Sequence, residues 1–220
     1  MTYDKEKTGR YAVHTQSQFM ETQIRMYTGG MAQTNSYLLE NNKHTILIDA
    51  PLGVTEWLES LDIKPSDLLL THQHYDHIED AAKLAKQGVK IHAHSAYDRE
   101  LTLEPLLQQS GIDLHVQPYE VDHVLGEPHE IDIKGWKFQV KHVPGHAPDS
   151  LVFLTNNLIF AGDTLFAGGI GRSDLPEGDH NLLVSGIREK ILTLDTTSRV
   201  FPGHGPDTTV AKEISTNPFL

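Results

Sequence analysis

The stretch Thr71–His77, with the sequence THQHYDH, constrains this chain more than any other part of it. It follows the apolar run of residues 67–70, which predicts a buried strand that leads into a loop. A strand repeats every two residues, so this geometry would direct His72 and His74 to the same side of the backbone. Asp76 and His77 follow where the chain can turn. We therefore predict that this stretch supplies half of a two-metal hydrolytic site.

The composition restricts both the ligands and the partners of such a site. The 220 residues include no cysteine, so any metal must be held by histidine and carboxylate. A formal net charge of −12 argues against a general nucleic-acid or anionic-membrane surface. The N-terminus lacks an apolar signal region, and no run approaches the about 20 apolar residues of a membrane span. These observations predict a cytoplasmic protein that binds neither nucleic acid nor membrane.

The order of strands and helices predicts the architecture. We expect a single domain over residues 1–220, with residues 1–20 as a tail or a loosely attached edge. Clustered strands in each half, with helices between them, predict two mixed sheets packed face to face and flanked by helices. The predicted strands are 22–27, 35–40, 44–49, 67–70, 89–93, 130–133, 135–143, 150–155, 158–161 and 199–201. The predicted helices are 54–61, 78–87, 96–110 with a bend at Pro105, 180–194 and a short C-terminal one.

Two segments of the second half repeat one pattern. Residues 143–150 read VPGHAPDS and residues 201–208 read FPGHGPDT. Proline and glycine favour turns at any strand end, which is the simpler explanation. Five matched positions around a histidine favour related loops that each deliver one imidazole, from His146 and from His204.

Seven side chains emerge as candidate metal ligands. Five imidazoles and two carboxylates suit Zn, Fe or Mn, and they exceed what one tetrahedral ion needs. The set fits two divalent ions roughly 3.5–4 Å apart that share a carboxylate and a water, and the water is then the nucleophile. Asp76 and Asp163 are the candidate catalytic carboxylates. The candidates are His72, His74, Asp76, His77, His146, Asp163 and His204.

Other polar residues keep two interpretations each. Asp49 ends a predicted strand and would either support a metal ligand or cap the next helix. His92 and His94 share the spacing of a ligand pair, but no Asp-His follows them, so we interpret them as strand-end residues. Arg172 is either a contact for a substrate carboxylate or a solvated surface residue.

Taken together, these motifs resemble those of the metallo-β-lactamase fold superfamily. The resemblance runs from about residue 22 to the end of the chain, and it implies an α/β fold, the four-layer αββα sandwich, with metals at one edge. It implies that His72, His74 and His146 hold one ion, that Asp76, His77 and His204 hold the second, and that Asp163 bridges them. The motifs are HQHYDH at 72–77, PGH at 144–146, AGDT at 161–164 and PGH at 202–204.

The loop of residues 163–174, DTLFAGGIGRSD, is similar to that of glyoxalase II-like thioesterases. That similarity implies hydrolysis of S-acylglutathiones such as S-lactoylglutathione, a step of methylglyoxal detoxification, with Arg172 in the glutathione loop. The chain resembles the short bacterial form, which lacks the C-terminal helical domain. Pro206 and Asp174 stand where the longer enzymes carry a tyrosine and another aromatic, and residues 78–80, Ala147 and Asp149 also depart from the pattern.

Two other functions within the superfamily are less favoured. Persulfide dioxygenases use one iron, which His72, His146 and Asp163 would hold here, but the complete second site with His204 favours a hydrolase. A true β-lactamase is disfavoured because no signal peptide precedes the domain and Asp163 stands where zinc-dependent ones often carry cysteine. The oligomeric state stays open, and a monomer is compatible with the sequence.

Substitution of Asp163 and of His92 separates a metal ligand from a strand residue. We expect Asp163→Ala to lower both the bound metal and the turnover rate, because a shared ligand is lost. His92→Ala should change neither quantity. Elemental analysis of the purified variants together with rate measurements checks this, and metal loss in the His92 variant would show that the site is misassigned.

Overall fold

Two β-sheets form the centre of the chain in a computed structural model that describes residues 10–13, 22–41, 44–126 and 129–220. The first sheet has its strands in chain order, antiparallel from the first strand to the fourth and parallel from the fourth to the last. Its strands are β1 (Arg10–Val13), β2 (Thr22–Gly29), β3 (Thr34–Glu40), β4 (Thr45–Ile48), β5 (Asp67–Leu69), β6 (Lys90–Ala93) and β7 (His123–Val124).

The second sheet is formed by the C-terminal half. Its strands are β8 (His129–Ile133), β9 (Trp136–His142), β10 (Leu151–Thr155), β11 (Leu158–Gly162), β14 (Arg199–Pro202) and β15 (Thr208–Thr209). Their order is β15-β14-β11-β10-β9-β8, and within the described part of this sheet only the β11–β14 pair is parallel. Two short strands, β12 (Leu165–Phe166) and β13 (Gly169–Ile170), pair into a separate hairpin.

Helices cover the outer face of each sheet. The described helices are α1 (Val54–Ser60), α2 (Tyr75–Ile78), α3 (Ala81–Lys86), α4 (Glu104–Gln109), α5 (His180–Lys190) and α6 (Val210–Thr216). Side chains of α1 and α3 pack on the first sheet, and those of α5 pack on the second. A third apolar layer, which includes Phe138 and Phe160, fills the space between the sheets. The predicted four-layer αββα sandwich is confirmed.

The residues of β4 show why the central strands are uniformly apolar. Ile46 and Ile48 face the layer between the sheets, while Leu47 faces the helices. All three side chains are buried, at 0 to 1 % exposure. A strand covered on both faces has no solvent side, so its sequence is continuously apolar instead of alternating. Strand β4 ends inside the protein, so the residue that follows it, Asp49, is also buried.

One predicted helix is interrupted in the structure. The prediction of a continuous helix over residues 78–87 is wrong, because the chain forms α2 and α3 with a break at Glu79 and Asp80. The fully buried Asp80 carboxylate accepts hydrogen bonds from the backbone N–H groups of Gly53 and Thr55, at 3.0 and 3.1 Å. It therefore satisfies the first turn of α1, whose free N–H groups need acceptors.

The helical stretch predicted over residues 96–110 is shorter and breaks elsewhere. A 3₁₀ turn at Glu100–Thr102 precedes α4, and the two are separated at Leu103, which has a φ of 63°. Pro105 lies in the first turn of α4, where its missing N–H removes no hydrogen bond. The bend predicted at Pro105 is therefore found at Leu103. Helix α5 also ends at Lys190, before the predicted end at residue 194.

The N-terminal region is described only in part. Arg10–Val13 pairs with β2 as the edge strand of the first sheet. The other residues assigned to a tail or edge, 1–9 and 14–20, lie outside the described residues. Within the described part, no helix combines the length and the apolar character that crossing a membrane requires.

Asp149, in the loop after β9, is a buried carboxyl group with little support. It is 2 % exposed, and neither of its oxygens has a well-formed hydrogen bond to any described residue. Burial raises the pKa of Asp149 to about 7, and nearby backbone groups and Gln73 offset the rise only in part. The folded chain thus keeps a proton on Asp149 at pH values where the unfolded chain has released it.

We expect Asp149→Asn to stabilise the metal-free protein increasingly as the pH rises from about 4 to about 7. The parent loses stability over this range because its folded state binds more protons than its unfolded state, whereas asparagine does not titrate. The gain should reach the order of a few kcal/mol at pH 8. Urea unfolding across pH checks this, with the exposed Asp113→Asn as the matched control. Parallel pH profiles for both variants would refute the assignment.

Candidate metal centre

The loops that follow β5, β9, β11 and β14 meet, and each brings candidate ligands. The first loop and α2 carry His72, His74, Asp76 and His77, and the other three loops carry His146, Asp163 and His204 in turn. Strand β5 ends before His72, so these histidines lie beyond the strand and not within it. The rings of His72 and His74 nevertheless lie 4.5 Å apart, centroid to centroid. The structure thus brings all the predicted ligand residues together.

Three groups of these side chains have the spacing of a metal site. Within each group, one ligand atom per residue lies within 4.8 Å of the others. Two groups are identical to the predicted ligand sets, and the third connects them. The groups are His72, His74 and His146; Asp76, His77 and His204; and His72, His77 and Asp163.

Unpartnered buried atoms point into this cluster. The Nε2 atoms of His72, His77 and His146 and the Oδ1 atom of Asp163 are buried without a hydrogen-bond partner in the described chain. A buried polar atom without a partner costs roughly 1–3 kcal/mol, so several at one point need an explanation. Nitrogen and oxygen donors in this arrangement suit Zn, Fe or Mn. The residues present therefore fit divalent metal ions.

The carboxylate of Asp163 lies between the two predicted sets. Its Oδ1 is 3.3 Å from His77 Nε2, and its Oδ2 is 3.5 Å from His146 Nε2 and 3.3 Å from His204 Nε2. Asp76 belongs to one side only, where its Oδ2 is 3.3 Å from His204 Nε2. The Asp163 carboxylate thus approaches members of both sets, as a shared ligand must.

Asp49 contacts the cluster at the Nδ1 atom of His77, the ring nitrogen opposite its candidate ligand atom Nε2. Its Oδ2 lies 2.8 Å from His77 Nδ1 and accepts the Thr71 hydroxyl at 2.8 Å, while its Oδ1 accepts the Thr71 backbone N–H at 2.8 Å. The first turn of helix α1 is bound by Asp80 and not by Asp49. Of the two interpretations of Asp49, the geometry favours support of a ligand. A hydrogen bond at Nδ1 fixes the ring and leaves Nε2 for an ion.

Arg172 contributes its backbone to the cluster. The Nδ1 atom of His146 lies 2.8 Å from the Arg172 carbonyl oxygen, so this carbonyl orients the ring. The guanidinium is exposed and binds Asp174 through two hydrogen bonds of 2.8 and 2.9 Å. The predicted substrate contact of Arg172 therefore competes with an ion pair inside its own loop.

The charges of the cluster are arranged to bind a cation. Burial opposes protonation of His77, yet Asp76, Asp163 and Asp49 hold its pKa well above the usual range. His204 is raised to a pKa of about 10 by hydrogen bonds to Asp163 and Asp76, despite its partial burial. The carboxylates thus hold protons on these imidazoles in the metal-free chain. Metal ions compete for the same nitrogens, so metal binding releases protons.

Close backbone packing explains the glycine of the second PGH loop. A Cβ atom at Gly203 would overlap Asp163 Oδ1 and lie 2.7 Å from His77 Cε1, which is closer than side chains pack. The glycine therefore allows the backbone of the His204 loop to approach the other ligands.

Sequence reasoning missed the start of β3. The buried Thr34 donates its hydroxyl to Asp76 Oδ2 at 2.6 Å, and its backbone bridges to His204. The Asn35 amide donates to the carbonyls of Pro202 and Gly205, at 3.1 and 2.9 Å. Polar residues at the start of an otherwise apolar strand were the only available signal. Thr34 and Asn35 connect the first sheet to the loop that carries His204.

Unlike His72, His74 and His77, His92 and His94 stay outside the cluster. His92 Nε2 lies 2.9 Å from Asp67 Oδ1, and the His94 ring stacks on His142 at 4.3 Å. Both residues lie at or just after the end of β6, as predicted.

Comparison with known proteins agrees with this geometry. The family model described as the metallo-beta-lactamase superfamily matches residues 29–204. The hydroxyacylglutathione hydrolase GloC of Haemophilus influenzae is 36% identical over 198 residues, which cover 86% of this chain and 92% of that protein. The crystal structure of the BLEG-1 B3 metallo-beta-lactamase has a TM-score of 0.81 and 32% identity, and covers 90% of this chain and 99% of its own. The crystal structure of TTHA1623 in a di-iron-bound form has a TM-score of 0.77 and 34% identity, and covers 89% of this chain and 99% of its own. The chain belongs to the metallo-beta-lactamase superfamily.

Proposed function

We propose that this chain is a binuclear metal-dependent hydrolase that cleaves glutathione thioesters such as S-lactoylglutathione. The observation that carries the proposal is the Asp163 carboxylate, which faces both complete ligand groups. A relative named as a hydroxyacylglutathione hydrolase, similar over nearly its whole length, supports the choice of substrate.

The ligand groups define how two ions would be held. His72, His74 and His146 form one set, Asp76, His77 and His204 form the other, and Asp163 is shared. When bound, two divalent ions lower the pKa of a shared water toward neutrality and polarise the substrate carbonyl. Zn is our preferred metal, and Fe and Mn share the same donor preferences, as the di-iron form of a structural relative illustrates.

The surrounding residues restrain the reacting groups. Thr34 fixes the Asp76 carboxylate, which we assign to accept a proton from the attacking water. The Arg172 carbonyl fixes His146, while Asp49 fixes His77. These contacts hold the ligands before substrate arrives, so little reorganisation is needed during reaction.

We assign the Arg172 guanidinium to a carboxylate of the glutathione portion. The group is exposed on the loop whose Arg172 carbonyl contacts His146, and its present partner Asp174 is also exposed. An exposed ion pair is weak because water screens its charges, so a substrate carboxylate can replace Asp174 at small cost. The same bidentate geometry then serves the substrate.

Hydrolysis of S-lactoylglutathione by the zinc-loaded protein tests the proposal. Thiol release should exceed the background, and His146→Ala and His204→Ala should each reduce the rate on the order of 100-fold, because each removes a ligand of a different ion. The exposed His115→Ala is the matched control and should retain the parent rate. Thiol release no faster than with free zinc would exclude the function.

Metal stoichiometry separates this proposal from oxygen chemistry at one iron. We expect about two ions per chain, because an ion held by His72, His146 and Asp163 alone would leave a second complete ligand group, Asp76, His77 and His204, without a metal. Elemental analysis measures the metal content. Oxygen uptake with glutathione persulfide tests for the dioxygenase, and hydrolysis of a chromogenic β-lactam tests for a β-lactamase. One iron per chain with oxygen uptake would establish the dioxygenase alternative, and fast β-lactam cleavage would favour the activity that a relative's name suggests.

A further inference from the structure

The hairpin of β12 and β13 lies between two parts of the metal centre. Asp163 precedes it and Arg172 follows it, so both ends of the hairpin lead into groups that contact the ligand cluster. Phe166, partly buried on β12, presents its ring edge-on to His204 with 6.1 Å between centroids. The hairpin therefore forms a wall beside the second predicted ion.

Few interactions of its own hold this hairpin in place. Only two residue pairs join β12 to β13, and an isolated two-stranded hairpin is marginally stable in water. Leu165 anchors the base in the outer apolar layer, but the tip at Gly168 is exposed. The position of the tip must come from contacts with another element.

That element is the C-terminal helix α6, through Glu213. The Glu213 carboxylate is fully buried, and its Oε2 accepts the Gly168 backbone N–H at 2.9 Å and the Asn217 amide at 2.9 Å. Its Oε1 accepts the Thr208 hydroxyl. Asn217 also donates to the Gly169 carbonyl at 3.0 Å. One buried carboxylate thus joins the tip of the hairpin to the end of the chain.

An apolar residue in place of Glu213 could fill the same buried space on α6, but it would leave the Gly168 N–H without its acceptor. Hydrogen bonds to a charged acceptor are stronger than neutral ones, roughly twofold. The carboxylate therefore adds a specific restraint on the hairpin to the packing of the helix.

We propose that Glu213 is a positioning residue for substrate binding, which holds the β12–β13 hairpin so that Phe166 and Arg172 face an acyl-thiol substrate at the metal centre. This inference rests on the proposed function for the identity of the substrate. It assigns to the C-terminal helix of this chain a role in substrate affinity, separate from metal binding and from the chemical step.

Three substitutions separate positioning from general stability. Glu213→Met removes every acceptor at similar volume. Glu213→Gln keeps one acceptor for Gly168, and its amide can donate to the Thr208 oxygen, because a hydroxyl both donates and accepts. Thr208→Val is the matched control, since it deletes a hydrogen bond to the same carboxylate without touching the hairpin.

Hydrogen exchange, metal content and steady-state kinetics are measured on the full-length, zinc-loaded variants. For Glu213→Met we expect exchange of the 165–171 amides to accelerate about 10-fold, KM for S-lactoylglutathione to rise about 5-fold to 10-fold, and kcat to stay within about 2-fold. The metal content should equal that of the parent. Glu213→Gln and Thr208→Val should keep KM within about 2-fold of the parent.

An unchanged KM in Glu213→Met, or an equal rise in Thr208→Val, would overturn the positioning role. Unchanged exchange at the hairpin in Glu213→Met would contradict the anchoring itself, whatever the substrate. A parent protein without thioester hydrolysis would instead contradict the proposed function, and faster hairpin exchange in Glu213→Met would still support the anchoring.

Discussion

The cost of burying polar atoms without partners governs this structure. Imidazole nitrogens and a carboxylate oxygen are withdrawn from water at one point, and none of them has a hydrogen bond of good geometry in the described chain. An apolar core compensates for such a cost poorly, because it offers no hydrogen bonds. Cations compensate for it directly, and the carboxylates of Asp76 and Asp163 supply the charge that attracts them. The surrounding fold can therefore be understood as a scaffold that brings these atoms together.

The scaffold depends on contacts between the two sheets as much as on either sheet alone. Backbone and side chain of Asn35 on β3 hold the loop after β14, with the Asn35 N–H bound to the Gly203 carbonyl at 2.7 Å. Tyr37 donates to the Pro202 carbonyl at 2.6 Å from the same strand. Displacing one sheet against the other would move His204 away from Asp76. The sandwich thus fixes the spacing between candidate ligands from different halves of the chain.

The sequence was sufficient for the layered fold and for the members of the cluster, because both depend on local patterns. Continuous apolar strands indicate burial on both faces, and closely spaced histidines together with two matching loops indicate a shared site. Long-range hydrogen bonds were not predictable in this way. The break before α3 depends on Asp80 reaching α1, and the role of Thr34 depends on its approach to Asp76 across a separation of 42 residues. Neither contact leaves a periodic pattern in the sequence.

Arg172 serves the centre with its carbonyl, whereas its side chain points to Asp174 in solvent. Every amino acid carries the same carbonyl, so the orientation of His146 does not depend on which side chain occupies position 172. Under the proposed function, substrate recognition by the Arg172 side chain is thereby separated from support of His146 by the Arg172 carbonyl. A fold organised in this way can exchange one substrate for another by replacing exposed side chains of this loop, while the metal centre keeps its geometry.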